Sequence, residues 1–219
     1  EKFVNHIFTN DITGAPYGKI YYGIMCYPNG GSVDDLLVYA MGEGKYLLVV
    51  NASNIDKDHA WIVEQSKGYD VVIDNQSDYY GQVAVQGPKS EEVVERLLKL
   101  NVSDLAFYTF KEIEVDGETI IASRTGYTGE DGFELYGSHA YINKVWDALI
   151  ASGEVLPCGL GCRDTLRFEV ALPLYGHELS DDITPLEAGL GIFVKLDKEE
   201  FIGKNALAEQ KALGLKKKI

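Results

Sequence analysis

Residues 123–136 read Ser-Arg-Thr-Gly-Tyr-Thr-Gly-Glu-Asp-Gly-Phe-Glu-Leu-Tyr. Three glycines in this stretch, Gly126, Gly129 and Gly132, recur at every third position. Glycine adopts positive φ without steric cost and lets a ligand approach the backbone closely. The pattern therefore predicts a tightly turned loop that presents an aromatic ring, Tyr127, beside several carboxylates.

The residues around this loop have the composition of β-strands. In residues 133–136, alternate side chains point to opposite faces, so Glu134 leaves the strand on the face away from Phe133 and Leu135. A carboxylate held in this way can accept two hydrogen bonds from a planar donor pair, such as an amino group beside a ring N–H. The spacing alone is equally compatible with a polar hairpin loop and a solvated Glu134.

Composition limits the possible class of protein. The chain has 219 residues, of which 46% are hydrophobic, which is enough for one large domain or two small ones. No run of about 18 apolar residues predicts a membrane span, and the first residues lack the apolar region of a signal peptide. A net charge of −14 argues against a nucleic-acid partner, because phosphate binding requires a basic surface.

The cysteines and histidines give no pattern typical of a metal site. The three cysteines, Cys26, Cys158 and Cys162, are expected to be buried free thiols in a reducing compartment. Cys158 and Cys162 are four residues apart and would share a helix face, but the four histidines of the chain add no ligand spacing to them.

Hydrophobic periodicity and turn residues predict an α+β fold. Strands are predicted over 19–26, 33–41, 45–50, 69–73, 82–86, 110–115, 118–123, 133–136 and 189–194, and helices over 3–10, 55–66, 88–98, 139–152, 157–168 and 205–210. Antiparallel hairpins accompany two strand–helix–strand stretches, 45–73 and 82–115. This order predicts sheets with helices on one face, and it does not alternate strictly enough for a doubly wound parallel sheet.

Several helix and turn signals make sharper predictions. Asn54 and Ser138 are expected to cap the helices that follow them, and Asp116-Gly117 is typical of a type I′ hairpin turn. In the helix after Ser138, Trp146 and Ile150 are expected to face inward with the other apolar residues. Arg163 and Arg167, four residues apart, are expected to share a helix face.

A set of polar and aromatic residues has no obvious structural purpose: Asp35, Asn51, Tyr127, Glu134 and Arg163, with Tyr22 and Tyr175 as further candidates. Together they offer carboxylates for a protonated centre, an arginine for anionic groups and rings for stacking. Asp34 and Asp35 must point to opposite faces of any strand, so one of them faces the apolar side or a cleft. No Ser-His-Asp order, P-loop or dinucleotide-binding motif is evident.

The motif Arg124-Thr-Gly-Tyr-Thr-Gly-Glu-Asp-Gly-Phe-Glu134 resembles the signature of the glycine cleavage T-protein family, the tetrahydrofolate-dependent aminomethyltransferases. Further segments resemble the same family: Thr9-Asn-Asp11, Asn29-Gly-Gly-Ser-Val-Asp-Asp-Leu36, Val49-Val-Asn-Ala52, Val85-Gln-Gly-Pro88, Gly161-Cys-Arg-Asp-Thr-Leu-Arg167 and Phe201-Ile-Gly-Lys204. The similarity extends over nearly the whole chain.

The resemblance implies two intertwined ferredoxin-like subdomains with antiparallel sheets, followed by a C-terminal β-barrel. We expect the first subdomain over 1–80, without the N-terminal segment of the family, and the second over 81–205. Residues 206–219 are then a linker toward the barrel, which this chain is expected to lack.

The resemblance also implies a reaction and its residues. The family transfers the one-carbon unit of the aminomethyl-lipoyl arm of H-protein to tetrahydrofolate, its acceptor substrate, and releases ammonia. Asp35 corresponds to the catalytic residue, and the folate-binding residues correspond to Glu134, Arg163, Tyr127, Tyr22, Asn51 and Val49. No metal or membrane is implied, and the expected location is the cytoplasm of a bacterium or the mitochondrion of a eukaryote.

Three alternatives to this function stay open. The first is a folate-dependent demethylase of the same fold, whose relatives are usually joined to a flavin module. The second is a non-catalytic folate-binding relative that assists iron–sulfur maturation, but its Lys-Gly-Cys-Tyr motif has no counterpart in Glu200-Phe-Ile-Gly-Lys204. The third is a folded module without activity.

Overall fold

The computed structural model describes residues 1–218 and has the predicted α+β class, with two antiparallel sheets. The described chain forms two compact units. The first unit combines Glu1–Asn75 with the chain from Pro173 onward, and the second is Gln76–Leu172. The domain boundaries expected after residues 80 and 205 stay a prediction about the intact protein.

The first unit contains a three-stranded sheet in the order β1-β2-β3. Its elements are α1 (Lys2–Ile7), β1 (Ile20–Cys26), β2 (Ser32–Gly42), β3 (Lys45–Val49), α2 (Ile55–Gln65) and α6 (Lys204–Leu213). Both faces of this sheet are covered. Phe8, Met25, Leu36, Val38 and Ile62 belong to the apolar cluster that includes α1 and α2, whereas the opposite face packs Ile24 in a cluster with Leu179, Phe201 and Leu207.

A buried lysine joins the two sequence segments of the first unit. The Lys198 ammonium donates to the carbonyl oxygens of Asn5 at 2.7 Å and Asn10 at 2.8 Å, and also to that of Phe8. Burial of an ammonium group is costly unless its protons are hydrogen-bonded. The three carbonyl acceptors meet that requirement and fix the end of α1 against the C-terminal segment.

The second unit contains a four-stranded sheet in the order β4-β7-β6-β5. Its elements are β4 (Tyr80–Gln86), α3 (Ser90–Leu98), β5 (Phe110–Val115), β6 (Glu118–Ser123), β7 (Gly132–Ser138), α4 (His139–Ala151) and α5 (Leu160–Glu169). Val85, Phe133 and Leu135 pack on one face with Val94 of α3 and Val145 of α4. Because side chains alternate along β7, Glu134 belongs to the opposite face.

Two local signals act as the sequence predicts. The Ser138 hydroxyl accepts a hydrogen bond from the Tyr141 N–H at 3.2 Å and caps α4. In the β5–β6 hairpin, Asp116 and Gly117 both have positive φ, of 52° and 84°. Positive φ at both central residues is the requirement of a type I′ turn, whose twist matches that of the flanking strands.

Several predictions about local structure are wrong. Residues 69–73 form no strand, and residues 189–194 contain a 3₁₀ turn, Gly191–Phe193, instead of a strand. The Asn54 side chain makes no cap bond to α2 and donates to Asp34 instead. Trp146 and Ile150 are 46% and 37% exposed rather than inward-facing. Cys26 is buried as expected, but Cys158 and Cys162 are exposed.

Within residues 1–218, no helix is both long and apolar enough to cross a membrane. The same residues contain no cluster of three or more His, Cys, Asp or Glu side chains placed to hold a metal ion.

Candidate functional site

The first group of predicted site residues lies on one face of the β1-β2-β3 sheet. Asp35 on β2 is paired with Ile24 on β1, and Leu37 is paired with Tyr22 on one side and Val49 on the other. Continuing the antiparallel register beyond Val49 places Asn51 opposite Asp35. Residues two apart in a strand share a face, so the strand register brings Tyr22, Asp35, Val49 and Asn51 to the same face.

Asp35 is held by a hydrogen bond to each of its carboxylate oxygens. The Tyr22 hydroxyl donates to Oδ2 at 2.9 Å, and the Asn51 amide donates to Oδ1 at 2.9 Å. The Tyr22 ring packs edge-on against Phe193, with the ring centroids 4.8 Å apart. The orientation of the carboxylate is therefore fixed before any ligand is present.

The charge of Asp35 is sensitive to its surroundings. Burial, and then the negative charge of Asp34, raise the pKa of Asp35 to about 6, against the lowering effect of the hydrogen bonds from Tyr22 and Asn51. Burial disfavours the charged form of a carboxyl group, and a neighbouring like charge acts in the same direction. Asp35 is thus an anion at neutral pH that gains a proton in mildly acidic solution.

Two further candidates in this unit have different surroundings. The Tyr175 hydroxyl donates to Asp181 at 2.8 Å, and its ring lies 3.9 Å from the Lys57 ammonium. His177 is exposed. Val49 is partly buried and contributes only apolar surface beside the Asp35 group.

The second group surrounds Glu134 in the β4-β7-β6-β5 sheet. Glu134 is 8% exposed, so the alternative of a solvated carboxylate is wrong. The Gln82 amide donates to Oε1 at 2.8 Å, and the Thr125 hydroxyl donates to Oε2 at 2.5 Å. The Tyr136 hydroxyl lies 3.4 Å from Oε2. Neutral donors thus orient both oxygens.

The causes of the Glu134 pKa shift differ from those at Asp35. Burial raises the pKa of Glu134, whereas the Thr125 hydrogen bond and the positive charge of Arg163 lower it. No second carboxylate contributes to this shift. Burial is therefore the one influence that disfavours the ionised form of Glu134, whereas the hydrogen bonds and the Arg163 cation favour it.

Arg163 is an exposed residue on α5, and its guanidinium lies 4.5 Å from the centre of the Tyr127 ring. This cation–π contact brings the two residues together. Arg163 and Arg167 both lie in α5, four residues apart, and so share a helix face as expected. Their surroundings differ, because Arg167 is buried and pairs with Asp164 at 2.8 Å. Asp131 pairs with Arg124 at 2.6 Å within the glycine-rich loop.

The structure thus joins the predicted residues into two groups, one in each compact unit. The sequence singled out Asp34 only as one of two aspartates on opposite faces of a strand, and Asn54 only as a helix cap. It gave no supporting role to Asp58 in the first unit, or to Gln82, Thr125 and Tyr136 in the second. A signal was available for Gln82 in the strand Gln82-Val-Ala-Val-Gln86, where the polar residues alternate with the valines. None was available for Asp58, which looks like a favourable charge in the first turn of α2.

The fold and the two carboxylate groups define a class of α+β proteins with two antiparallel sheets. Each sheet carries one carboxylate, Asp35 or Glu134, that is oriented by neutral hydrogen-bond donors. Comparison with known proteins supplies the family. The profile of the GCVT N-terminal domain family matches residues 1–198. The chain belongs to this family.

Relatives with curated names and solved structures agree with that assignment. The chain is 54% identical to an aminomethyltransferase of Alkaliphilus oremlandii and 51% identical to one of Bacillus subtilis, over 100% and 99% of its own length and 61% of each relative. The crystal structure of the glycine cleavage system aminomethyltransferase T from Bartonella henselae superposes with a TM-score of 0.89 at 29% identity, covering 97% of this chain and 58% of that one. The chain therefore spans about three-fifths of these relatives.

Proposed function

We propose that the protein at its full natural length is a tetrahydrofolate-dependent aminomethyltransferase of glycine cleavage. It takes the one-carbon unit from the aminomethyl-lipoyl arm of H-protein, releases ammonia and gives methylenetetrahydrofolate. The observation that carries the proposal is the Asp35 carboxylate, fixed by Tyr22 and Asn51 within a family whose relatives are named aminomethyltransferases. No comparable observation favours demethylation.

Asp35 is assigned the catalytic role. Transfer of the one-carbon unit develops positive charge at an iminium-like carbon, and a carboxylate fixed in advance stabilises that charge without having to reorganise. The same anion can orient the amine of the folate that receives the carbon. Tyr22, Asn51 and Val49 complete the surroundings of this carboxylate.

Glu134, Arg163 and Tyr127 are assigned to folate binding. A pterin presents an amino group beside a ring N–H, and a carboxylate accepts such a donor pair with both oxygens. Arg163 offers a cation for the acidic end of a folate, and Tyr127 offers a ring for stacking beside it. H-protein would be the macromolecular partner, and the cytoplasm the location of the reaction.

Two measurements on the full-length protein test this function. Calorimetric titration with tetrahydrofolate is expected to show binding at one site, and incubation with aminomethyl-loaded H-protein is expected to yield methylenetetrahydrofolate and ammonia in equal amounts. Asp35→Ala is expected to abolish product formation, and Glu134→Ala to weaken folate binding. Asp147→Ala, at an exposed position of α4, is the matched control.

The assignment fails if wild-type protein binds tetrahydrofolate but forms no product with H-protein, a result that would favour a folate-binding relative without transferase activity. Unchanged binding and turnover in both variants would refute the residue assignments. Methylenetetrahydrofolate formed from a methylated glycine and an added two-electron oxidant, without H-protein, would favour the demethylase.

A further inference from the structure

The carboxylate of Asp34, beside Asp35 in the sequence, is buried and accepts three hydrogen bonds from N–H donors. Asp34 is completely buried. Its Oδ1 accepts from the Asn51 amide at 2.8 Å and from the Asp35 N–H at 2.9 Å, and its Oδ2 accepts from the Asn54 amide at 3.1 Å. Three N–H donors stabilise the ionised form of a carboxyl group and offset the cost of burying its charge.

A second buried carboxyl group, that of Asp58, interacts with Asp34. The first turn of α2 is held at this place, because Asn54 donates to Asp34 and Lys57 donates to the Val33 carbonyl. Asp58 of α2 is also completely buried, and neither of its oxygens has a hydrogen-bond donor. The Lys57 ammonium is 3.7 Å from Asp58 Oδ1, but it donates to the Val33 carbonyl and lies over the Tyr175 ring. Two ionised carboxylates would offer each other only acceptors and repel.

We propose that Asp58 carries a proton in the folded protein and donates it to Asp34, so that this carboxyl pair positions Asp35 through Asn51. The proposal rests on the function proposed above and deepens it by adding a positioning residue. The Asn51 amide touches both Asp34 Oδ1 and Asp35 Oδ1. With a proton on Asp58, the carboxyl groups of Asp34 and Asp58 no longer repel each other. Asp34 then stays in place and holds the Asn51 amide where it can orient Asp35.

The charged and titratable groups around Asp58 are few. Asp34 faces it from β2, Lys57 precedes it on α2, and Tyr27 interacts with it from the loop after β1. Tyr175 and Asp181 lie beyond these groups. Burial, and then Asp34, raise the pKa of Asp58, while burial also raises the pKa values of Tyr27 and Tyr175. Asp58 is therefore expected to lose its proton before either tyrosine as the pH rises.

The sign of the pH effect follows from that shift. A carboxyl group with a raised pKa in the folded state keeps its proton at neutral pH and loses it as the pH rises through that pKa. Ionised Asp58 would then repel Asp34, which shares the Asn51 amide with Asp35. We therefore expect turnover to fall on the alkaline side with the loss of one proton, independently of the acidic titration of Asp35.

Variants at position 58 separate positioning from simple packing. In the full-length enzyme, Asp58→Asn retains a donor toward Asp34 and is expected to keep kcat within about threefold of wild type near neutral pH. Asp58→Leu has a similar size but no donor, and is expected to lower kcat about tenfold while KM for tetrahydrofolate stays within about twofold. Asp56→Asn, exposed in the same helical turn, is the matched control.

The decisive readout is kcat measured from about pH 6 to about pH 10. Wild type and Asp56→Asn are expected to lose activity on the alkaline side, whereas Asp58→Asn, which has no proton to lose there, is expected to keep it. Persistence of the alkaline loss in Asp58→Asn, or equal loss of kcat in the Asn and Leu variants, would overturn the proposal.

Carboxyl ¹³C NMR tests the proton on Asp58 without any activity. The resonance that disappears in Asp58→Asn is expected to titrate far above the ordinary aspartate range of about 4. Titration within that ordinary range refutes the carboxyl pair. An absence of transferase activity in wild type, together with the raised titration, would refute the proposed function and leave the pair intact. If Asp58→Leu does not fold, the Asn variant and the NMR titration still decide the matter.

Discussion

The Asp35 and Glu134 groups use the same strand geometry and differ in the charges beside each carboxylate. Asp35 has a hydroxyl and an amide as donors, with the anion of Asp34 behind it. Glu134 also has an amide and a hydroxyl as donors, but its charged neighbour is the cation Arg163. An anion beside a carboxylate raises its free energy, and a cation lowers it.

This difference suggests a division of roles. A carboxylate destabilised by a neighbouring anion gains most when positive charge develops nearby, which suits a catalytic group. A carboxylate stabilised by a cation is better suited to accept hydrogen bonds from a neutral ligand edge. The comparison explains in physical terms why Asp35 is assigned to chemistry and Glu134 to binding.

The largest expected effect comes from Asp35→Asn, which removes the charge and keeps the size. We expect kcat to fall by about 10²- to 10³-fold, the usual range for losing a preorganised electrostatic contact. Because folding raises the pKa of Asp35, the anion destabilises the folded state at neutral pH. The melting temperature measured by calorimetry should therefore stay equal or rise. If Asp35→Asn retains turnover, the assignment of Asp35 to catalysis and Glu134 to binding is wrong.

A smaller effect is expected from Glu134→Gln. The new amide group would meet the donors of either Gln82 or Thr125, so one oxygen of the native arrangement is lost. Loss of one charged hydrogen-bonding partner weakens binding by about 10- to 100-fold. Calorimetric titration should show this in the Kd for tetrahydrofolate, with kcat at saturating folate changed much less. A larger loss in kcat than in affinity would contradict the division of roles.

The acidic side of the pH profile tests the role of Asp35 in a third way. The catalytic role proposed for Asp35 requires its ionised form, so kcat is expected to fall as the pH drops through about 6. Folding stability should change in the opposite direction, because the raised pKa of Asp35 makes the folded state bind a proton more tightly than the unfolded chain. Stopped assays and thermal melts at matched pH values test both signs. An acidic limb that persists unchanged in Asp35→Asn would assign it to another group.

The smallest effect is expected from Thr125→Val, which removes one hydroxyl donor to Glu134 and keeps the volume. Gln82 and Tyr136 still contact the carboxylate. We expect the Kd for tetrahydrofolate to rise about threefold to tenfold. Thr119→Val, at an exposed position of β6, is the control. Unchanged affinity would mean that the hydroxyl supports the loop rather than the carboxylate.

Local signals predicted much of the fold because their causes lie within a few residues. The Ser138 cap and the Asp116-Gly117 turn depend on short-range hydrogen bonds and backbone preferences. The false strand at 69–73 shows the limit of this approach. Val71 and Val72 have high β-propensity, but Val72 is 97% exposed and no neighbouring strand pairs with it. A strand needs a partner edge, which composition does not reveal.

The candidate site shows the same limit. Asp35 and Glu134 could be named as candidates from the sequence because both residues belong to recognisable segments. The role proposed for Asp58 could not be predicted, since it depends on the packing of α2 against the sheet that carries Asp34. Exposed and buried carboxylates look identical in a sequence, and only the fold distinguishes Asp56 from Asp58.

The discontinuity of the first unit has a consequence for the order of folding on the ribosome. The second unit is a single segment and is complete once Leu172 has been synthesised. The first unit waits for Lys198, whose three acceptors precede it by 193, 190 and 188 residues. Domains fold as units during synthesis, and contacts between distant residues form late. The second unit, in the middle of the chain, is therefore expected to fold first. The first unit is expected to fold only after both of its sequence segments have been synthesised.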